Sequence, residues 1–236
     1  FAWFRKNVDF SALQCENLKL YLERTRITEL YIDGKKIGRK ESLCTPHIYD
    51  LNEYIGTGVH EVTICVSNVG YKTKGGHLTS PDTQTNWNGI TGCIELIGYK
   101  TAHAENVMLW CDIHSKTVRV TADITGGKSG KAVISTESFN SEKSHTPAVQ
   151  SFEYTNGKLD AVYKMGDDCL LWSEHEPNLY KMKIDIDGDV SEHIIGMREF
   201  KTEGGKFTIN GEKTFLRGKH DGMIFPKTAF APTDLD

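Results

Sequence analysis

The chain has 236 residues, a formal net charge of −4 at pH 7 and a sequence pI near 6.2. This charge balance gives no reason to expect nucleic acid or an anionic membrane surface as a partner. No run approaches the ~18 apolar residues of a membrane-spanning helix, and the length suffices for two domains with cores of their own.

Alternation of apolar and polar residues, which is typical of half-buried β-strands, recurs along the chain. It is clearest in NLKLYLER (17–24), EVTICVSN (61–68), TVRVTADI (117–124) and NLYKMKIDID (178–187). Residue pairs suited to tight hairpin turns separate such runs, namely Asp33-Gly34, Asn156-Gly157, Asp187-Gly188 and Asn210-Gly211. Since no longer window keeps a helical period, the sequence predicts an all-β fold, made of sandwiches, with few and short helices.

Two shifts in pattern predict the domain boundaries. The segment YKTKGGHLTSPDTQTNWNGITG (71–92) is a long polar loop of the kind that is often functional, and strands resume with closer spacing after residues 100–105. After Arg198 the segment EFKTEGGKFTINGEKTFLRG (199–218) is interpreted as a linker followed by a hairpin. We therefore predict domains at residues 1–101, 102–198 and 199–236.

The six cysteines are scattered, with no C-x-x-C pair and no histidine at zinc-finger spacing. This spacing gives no reason to expect a metal site. We expect mostly buried free thiols that pack as small apolar groups, and disulfides stay open as an alternative.

The polar loop contains the first candidate site. Trp87 stands among Gln84, Asn86 and Asn88, and an indole face can stack on a sugar ring while amides bond its hydroxyls. This composition is typical of carbohydrate binding. The alternative is a tryptophan that fills the edge of a sandwich, with asparagine and glycine supplying the turns.

A second candidate lies near the end of the chain, where Arg217, His220 and Asp221 follow an apolar run. Arginine and histidine could bind sugar hydroxyls or a carboxylate, although a solvated strand end has the same composition. His47 is interpreted as a structural residue. The sequence shows no paired carboxylates, nucleophile elbow or phosphate loop, so no catalytic residue is assigned.

Five segments, in this order, carry a resemblance to a known family. They are FAWFRKNVDF (1–10), NLKLYLERTRITELYIDGKKIG (17–38), DTQTNWNGITGCIEL (82–96), LWSEHEPNLYKMKIDI (171–186) and GMREFKTEGGKFTINGEKTFLRGKHD (196–221). The order resembles the N-terminal part of glycoside hydrolase family 2, the family of β-galactosidases, β-glucuronidases and β-mannosidases.

The resemblance implies a jelly-roll sugar-binding domain without its first strands, then an immunoglobulin-like sandwich, then a short stump of a (β/α)8 barrel. It implies hydrolysis of terminal β-glycosides with retention, with no cofactor. The two catalytic carboxylates of the family lie on later barrel strands, so none is assigned here. Trp87, Asn88 and Asn86 would line the rim of the sugar site, and Arg217 and His220 would lie at the barrel mouth.

Carbohydrate is thus the expected partner, and we expect the chain to come from a longer protein of which the compartment is left open. The alternatives are a separate carbohydrate-binding β-sandwich protein and a plain β-sandwich interaction module. An isolated hairpin is marginal in water, so the barrel stump (about 206–225) is expected to associate with another copy of the chain or to fold back on its own second domain.

Overall fold

The fold is all-β, as the sequence predicts. The computed structural model describes residues 1–42, 45–70 and 89–218. Within this part of the chain the one helical segment is a 3-10 turn at Asn52–Tyr54, and the strands fall into two compact units, residues 1–100 and residues 101–218.

The first unit is a sandwich of two antiparallel sheets. Its strands are β1 (Ala2–Asp9), β2 (Asn17–Leu22), β3 (Ile27–Ile32), β4 (Lys35–Glu41), β5 (His47–Asp50), β6 (Val59–Ser67) and β7 (Ile94–Tyr99). One sheet has the order β1-β6-β3-β4 and the other has the order β5-β2-β7. β1 and β7 each form an edge of their sheet, so neither has a second described strand as a neighbour.

The core of this unit lies between the two sheets and follows the period of two. Every second residue of β2 is buried, and Val62, Ile64 and Val66 of β6 face it from the other sheet. A shift of one residue in register would expose this entire row, so the apolar pattern fixes the register strongly. The alternation predicted for β2 and β6 is confirmed.

The second unit is built on one strongly curved antiparallel sheet. Its strands are β8 (His103–Asp112), β9 (Thr117–Thr125), β10 (Ser129–Ser138), β11 (Gln150–Thr155), β12 (Lys158–Lys164), β13 (Tyr180–Ile186) and β14 (Asp189–Ile195). Their order is β14-β13-β10-β11-β12-β9-β8, and the sheet is partly closed around its core. Tyr180, Met182, Ile184 and Ile186 of β13 are fully buried in that core, as their alternation predicts.

A small three-stranded sheet follows the second core. It consists of β15 (Phe200–Glu203), β16 (Lys206–Ile209) and β17 (Glu212–Lys213), paired in chain order. The sequence interpretation of residues 199–205 as a linker is wrong in part, because Phe200–Glu203 is a strand that pairs with β16. The turn at Gly204-Gly205, where both residues have positive φ, joins the two strands.

The four predicted hairpin turns are confirmed. Asp33-Gly34 joins β3 to β4, and Asn156-Gly157 joins β11 to β12. Asp187-Gly188 and Asn210-Gly211 join β13 to β14 and β16 to β17. All eight residues have φ between 49° and 91°, the left-handed region that such turns require and that asparagine, aspartate and glycine tolerate best.

The described cysteines are free, but they are not uniformly buried. Cys65 lies in the first core, and burial raises the pKa of the Cys111 thiol to about 11. Cys93 is exposed and Cys15, Cys111 and Cys169 are partly buried, so the expectation of mostly buried thiols holds only in part. Cys93 lies just before β7, at a sheet edge that no described strand covers, so the strand pattern around it does not bring it into a core.

Candidate functional site

Most of the site residues predicted from the sequence lie outside the described residues. These are Asn86, Trp87, Asn88 and Gln84 in the polar loop, and His220 near the end of the chain. The described part of the polar loop is its last stretch, residues 89–92. This stretch shows how the loop rejoins the first unit.

Arg217 is the one predicted sugar-proximal residue that the structure describes. It follows β17 in a stretch without regular structure, and its side chain is exposed together with Phe215 and Leu216. This position agrees with a solvated strand end, and it leaves the guanidinium accessible.

The end of the polar loop is held by the residues that follow β2. The carbonyl of Arg24 accepts hydrogen bonds from the Thr91 amide at 3.1 Å and from the Thr91 hydroxyl at 3.2 Å. The Gly92 amide donates to the carbonyl of Glu23 at 3.3 Å, and the Glu23 amide donates to the carbonyl of Cys93 at 2.9 Å. These bonds continue the β2–β7 pairing beyond the last strand pair, Leu22 with Ile94.

The side chain of Glu23 adds a contact that a strand pair would not supply. Its Oε2 accepts the Cys93 amide at 3.0 Å, and Oε1 lies 3.4 Å from Nε of Arg24. The hydrogen bond from the Cys93 backbone, followed by the charge of Arg24, lowers the pKa of Glu23 below its usual value. The carboxylate is therefore charged at neutral pH and is committed to the end of the loop.

Two glycines make this close approach sterically feasible. A Cβ on Gly92 would lie 2.3 Å from Oε2 of Glu23, so any larger residue would displace the carboxylate. Gly89 is buried, has φ of +94° and lies against the ring of Phe4. The chain thus reaches the sandwich along a defined path between Gly89 and Cys93.

A groove opens beside this path, between the edge strands β1 and β7. It has a volume of about 580 Å³ and is floored by the core residues Leu20, Val62 and Ile64. Phe4 of β1 and Leu96 of β7 line it, and both are more than a third exposed although they are on the inward faces of their strands. The sandwich is therefore open along this side.

The second unit has its own cavity, of about 520 Å³, where β8 approaches β14. Trp110, Trp172 and Arg198 line it, and the Arg198 guanidinium lies 4.7 Å from the ring centroid of Trp172. At this distance a cation–π contact contributes about 0.5–1 kcal/mol at an exposed site. The contact holds Arg198, two residues before β15, against Trp172.

Other candidates have structural roles or are absent from the described residues. His47 is buried in the first core, where burial lowers its pKa, so the structural interpretation is supported. Within residues 1–42, 45–70 and 89–218 no group of three or more histidine, cysteine or acidic side chains could hold a metal ion. The same ranges contain no helix that could cross a membrane.

The sequence reasoning missed Glu23 and Arg24 as part of the candidate site. They are separated by about seventy residues from the glycines that they contact, and both were interpreted as the end of an alternating strand. The sequence signal that was available is the pair of glycines that flanks Ile90 and Thr91. These glycines indicate a tight backbone approach but not the partner.

Fold and site together define a protein of two consecutive β-sandwich units, with a polar loop anchored at one end of the first. Residues 102–198 match the family model described as Glycosyl hydrolases family 2. A β-galactosidase of Thermoanaerobacter pseudethanolicus is 25% identical over 252 residues, and it aligns with 99% of this chain and 33% of its own length. A putative β-glucuronidase of Formosa agariphila is 24% identical, over 93% of this chain and 28% of its own.

Solved structures agree with this assignment at the level of the fold. The β-glucuronidase of Faecalibacterium prausnitzii superposes with a TM-score of 0.72 at 16% identity, over 97% of this chain and 42% of that one. The resemblance to glycoside hydrolase family 2 inferred from the five sequence segments is confirmed. The chain spans about a third or less of the length of the curated relatives named above.

Proposed function

We propose that this chain is the non-catalytic N-terminal portion of a retaining family 2 glycosidase that acts on terminal β-glycosides. In this proposal the first unit shapes the rim of the substrate site. The observation that carries it is the match of almost the whole chain to the β-galactosidase of T. pseudethanolicus, of which it covers a third.

The proposed domains follow the sequence interpretation. Residues 1–101 are a jelly-roll sugar-binding domain that is incomplete at its first strands, and the open groove between β1 and β7 supports this assignment. Residues 102–198 are an immunoglobulin-like sandwich, and residues 199–236, which begin with the sheet of β15, β16 and β17, contain the first strand of a barrel. In such barrels the active site lies at the carboxyl ends of the strands.

The proposed sugar contacts come from two segments. Trp87 stacks on the apolar face of the sugar, and Asn86 and Asn88 bond its hydroxyls. Arg217 and His220 lie at the barrel mouth, where the accessible guanidinium of Arg217 can donate to hydroxyls or a carboxylate. The anchoring of residues 89–93 supports this proposal, because a loop that contributes to recognition must leave the scaffold along a fixed path.

Hydrolysis itself requires residues that this chain does not supply by motif. A retaining glycosidase uses an acid/base and a nucleophile about 5 Å apart, and the family carries both on later barrel strands. No organic cofactor is part of this chemistry. The contribution proposed for this chain is therefore to substrate binding.

The test uses the full gene product that contains this chain, assayed on nitrophenyl β-galactoside and β-glucuronide. Trp87→Ala is expected to raise KM about tenfold and to leave kcat nearly unchanged. This is the result for a side chain that binds the substrate equally strongly in the ground state and in the transition state. Trp110→Ala, which removes an exposed tryptophan of the second unit, is the matched control. An unchanged KM in Trp87→Ala would refute the rim role.

The alternative is a separate carbohydrate-binding β-sandwich protein. Its supporting observation is the composition of the polar loop, which alone provides the stacking and hydrogen-bonding groups that a glycan site needs. Titration of the 236-residue chain with galactose and glucuronate oligosaccharides distinguishes the two. Binding by the chain alone, lost in Trp87→Ala, would favour the alternative.

A further inference from the structure

The sheet with the order β1-β6-β3-β4 carries an aromatic pair on its outer face, the face turned away from the core. In β1, Phe4 lies on the inward face, so its neighbour Trp3 lies on the outer face. In β3, Leu30 and Ile32 are buried, and Tyr31 between them points outward. The ring centroids of Trp3 and Tyr31 are 5.8 Å apart, with an angle of 45° between the ring planes. Since β6 separates the two strands, the pair reaches across the middle of the sheet.

The indole of Trp3 is the accessible member of this pair. Trp3 is 61% exposed, whereas Tyr31 is half-buried. The Tyr31 hydroxyl donates to Oε2 of Glu29 at 2.7 Å, and Nζ of Lys36 donates to Oε1 of the same carboxylate at 2.6 Å. These bonds fix the ring against which the indole rests. An aromatic side chain that is already held in place loses little conformational entropy when a ligand stacks on it.

The charges around the aromatic pair are balanced. Three cations of the outer face each have a carboxylate partner, namely Lys36 with Glu29, Arg39 with Glu41 at 2.8 Å and Arg5 with Glu61 at 3.5 Å. A nucleic acid or an acidic peptide would need a surplus of cations, which these pairs do not provide. The charge balance of the face therefore complements a ligand without charge.

Groups that can bond hydroxyls lie in the same row as the indole. Arg5 and Asn7 follow Trp3 at intervals of two residues along β1, so all three are on the outer face. Arg5 contacts Glu61 through Nη1, and its guanidinium has further N–H donors. Asn7 is exposed, and its amide supplies both donors and an acceptor. Trp3 and Asn7 are four residues apart, about 13 Å along a strand.

We propose that the outer face of this sheet binds a neutral β-linked glycan chain, with Trp3 stacked on one sugar ring and Arg5 and Asn7 bonded to hydroxyls of the following sugars. An extended glycan can follow the straight row of side chains along β1. Each sugar ring has an apolar face that suits the indole, and its hydroxyls project at the edges of the chain. The inference uses neither Trp87 nor the barrel, so it is independent of the proposed rim function.

A protein partner is the other kind of ligand that an exposed tryptophan attracts. The cores of protein interfaces are depleted of charged residues, whereas three ion pairs surround this tryptophan. A protein lying flat on the sheet would have to remove water from these pairs, which is costly. A glycan that follows β1 contacts Trp3 and leaves the pairs of β3 and β4 hydrated.

Calorimetric titration of the 236-residue chain with cellohexaose, mannohexaose and β-galactohexaose tests the proposal. At least one of these neutral hexamers is expected to bind, and its affinity should not depend on salt, because no unpaired charge takes part. Trp3→Ala should weaken binding about tenfold, which corresponds to the upper range for an aromatic contact. Tyr31→Phe keeps the ring that supports the indole and should bind like the wild type.

Two other variants keep the test informative if Trp3→Ala does not fold. Trp3→Phe retains a smaller aromatic face and should lose part of the affinity, and Arg5→Ala should weaken binding a few-fold. Circular dichroism of each variant shows whether it is folded. Trp110→Ala is the matched control, since Trp110 is an exposed tryptophan next to an arginine on a strand of the second unit, and it should bind like the wild type.

Several results would overturn the inference. One is that no hexamer binds, and another is that the wild type and folded Trp3→Ala bind with equal affinity. Binding that is lost in Trp87→Ala but not in Trp3→Ala would assign the glycan to the polar loop. A chain that binds no hexamer but loses self-association in Trp3→Ala would show that the face contacts another copy of the chain.

The inference and the proposed function fail separately. The KM of the full gene product for nitrophenyl β-glycosides, which carry a single sugar, should be the same in Trp3→Ala as in the wild type. A KM that Trp87→Ala leaves unchanged refutes the rim function and does not affect the glycan site at Trp3. Loss of the Trp3 site in the titrations leaves the rim function intact.

Discussion

The hydroxyl of Thr28 lies 2.6 Å from Nδ1 of His47, inside the core of the first unit. The other ring nitrogen, Nε2, lies 3.2 Å from the carbonyl of Ser42, which can only accept a hydrogen bond. Nε2 therefore carries the proton, and Nδ1 accepts from the hydroxyl of Thr28. Tyr49 completes the arrangement by donating to the Thr28 carbonyl at 3.0 Å, so His47 is satisfied as a neutral ring.

This arrangement predicts that the first unit loses stability on acidification. Burial, and to a smaller extent the charge of Lys40, lower the pKa of His47 below its usual value of 6.5. Below pH 6.5 the unfolded chain binds a proton at His47 that the folded chain excludes, so the free energy of unfolding falls as pH falls. Hydrogen exchange of the β3 and β5 amides between pH 8 and 5 measures the change.

His47→Gln is the control for this pH effect. Glutamine does not titrate, so the pH dependence of the first unit should become shallower below pH 6.5 even where the variant is less stable overall. His145 and His193 have pKa values lowered by burial in the second unit, so its amides should keep their pH dependence. If the free energy of unfolding of the first unit depended on pH equally in the wild type and in His47→Gln, His47 would not be the source of the pH effect.

Tyr180 is the basis of a prediction for the second unit. Its ring is fully buried, and its hydroxyl accepts the Leu170 amide at 2.8 Å and lies 2.7 Å from Nδ1 of His145. Tyr180→Phe leaves both groups without a partner and should lower the free energy of unfolding by about 1–3 kcal/mol. Urea unfolding of the second unit measures the loss.

The control for Tyr180 is a tyrosine whose hydroxyl lies near solvent. Tyr31 donates to Glu29 at 2.7 Å from a half-buried position, so Tyr31→Phe should change stability by less than about 0.5 kcal/mol. Equal effects of the two substitutions would show that the buried network of Tyr180 contributes nothing beyond a surface bond.

Much of the fold could be predicted because it is encoded locally. A period of two places Leu18 and Leu20 in the first core. In the second unit, Asn156-Gly157 specifies the turn between β11 and β12 through the positive φ values that these residues tolerate. The partial closure of the sheet by the approach of β8 to β14 could not be predicted, because it depends on contacts between residues far apart in the chain. β15 was missed because it is four residues long and exposed.

The candidate site was less accessible to prediction than the fold. Trp87 and its neighbours stand out by composition, and the role proposed for them stays a prediction. Glu23 has no local signal, because a glutamate after an alternating strand is ordinary and its partner Cys93 is brought near only by the pairing of β2 with β7. Contacts of this kind follow from topology.

The 236-residue chain is expected not to hydrolyse β-glycosides. In the function proposed above, the acid/base and the nucleophile lie on later barrel strands, and without them the covalent glycosyl intermediate cannot form. Incubation with nitrophenyl β-galactoside and β-glucuronide should release no nitrophenol above the uncatalysed rate. Turnover that a single Asp or Glu substitution in this chain abolishes would overturn the expectation.

The small sheet after the second core is expected to mediate self-association of the 236-residue chain. Phe200 and Phe207 stack with their centroids 5.3 Å apart on one face of this sheet, and they are 48% and 40% exposed. Phe215, just beyond β17, is 80% exposed. Clustered apolar surface of this kind is typical of interaction sites, and β15 adds an edge without a neighbouring described strand.

Sedimentation velocity over a range of concentrations tests this association. The wild-type chain should form dimers or larger species, and the double variant Phe207→Lys, Phe215→Lys should be monomeric, because burying two charges at the contact is unfavourable. Met108→Lys, at an exposed apolar residue of β8, is the control and should leave the association unchanged. A wild-type chain that stays monomeric at high concentration contradicts the prediction, and the face must then be covered within the same chain or remain exposed to solvent.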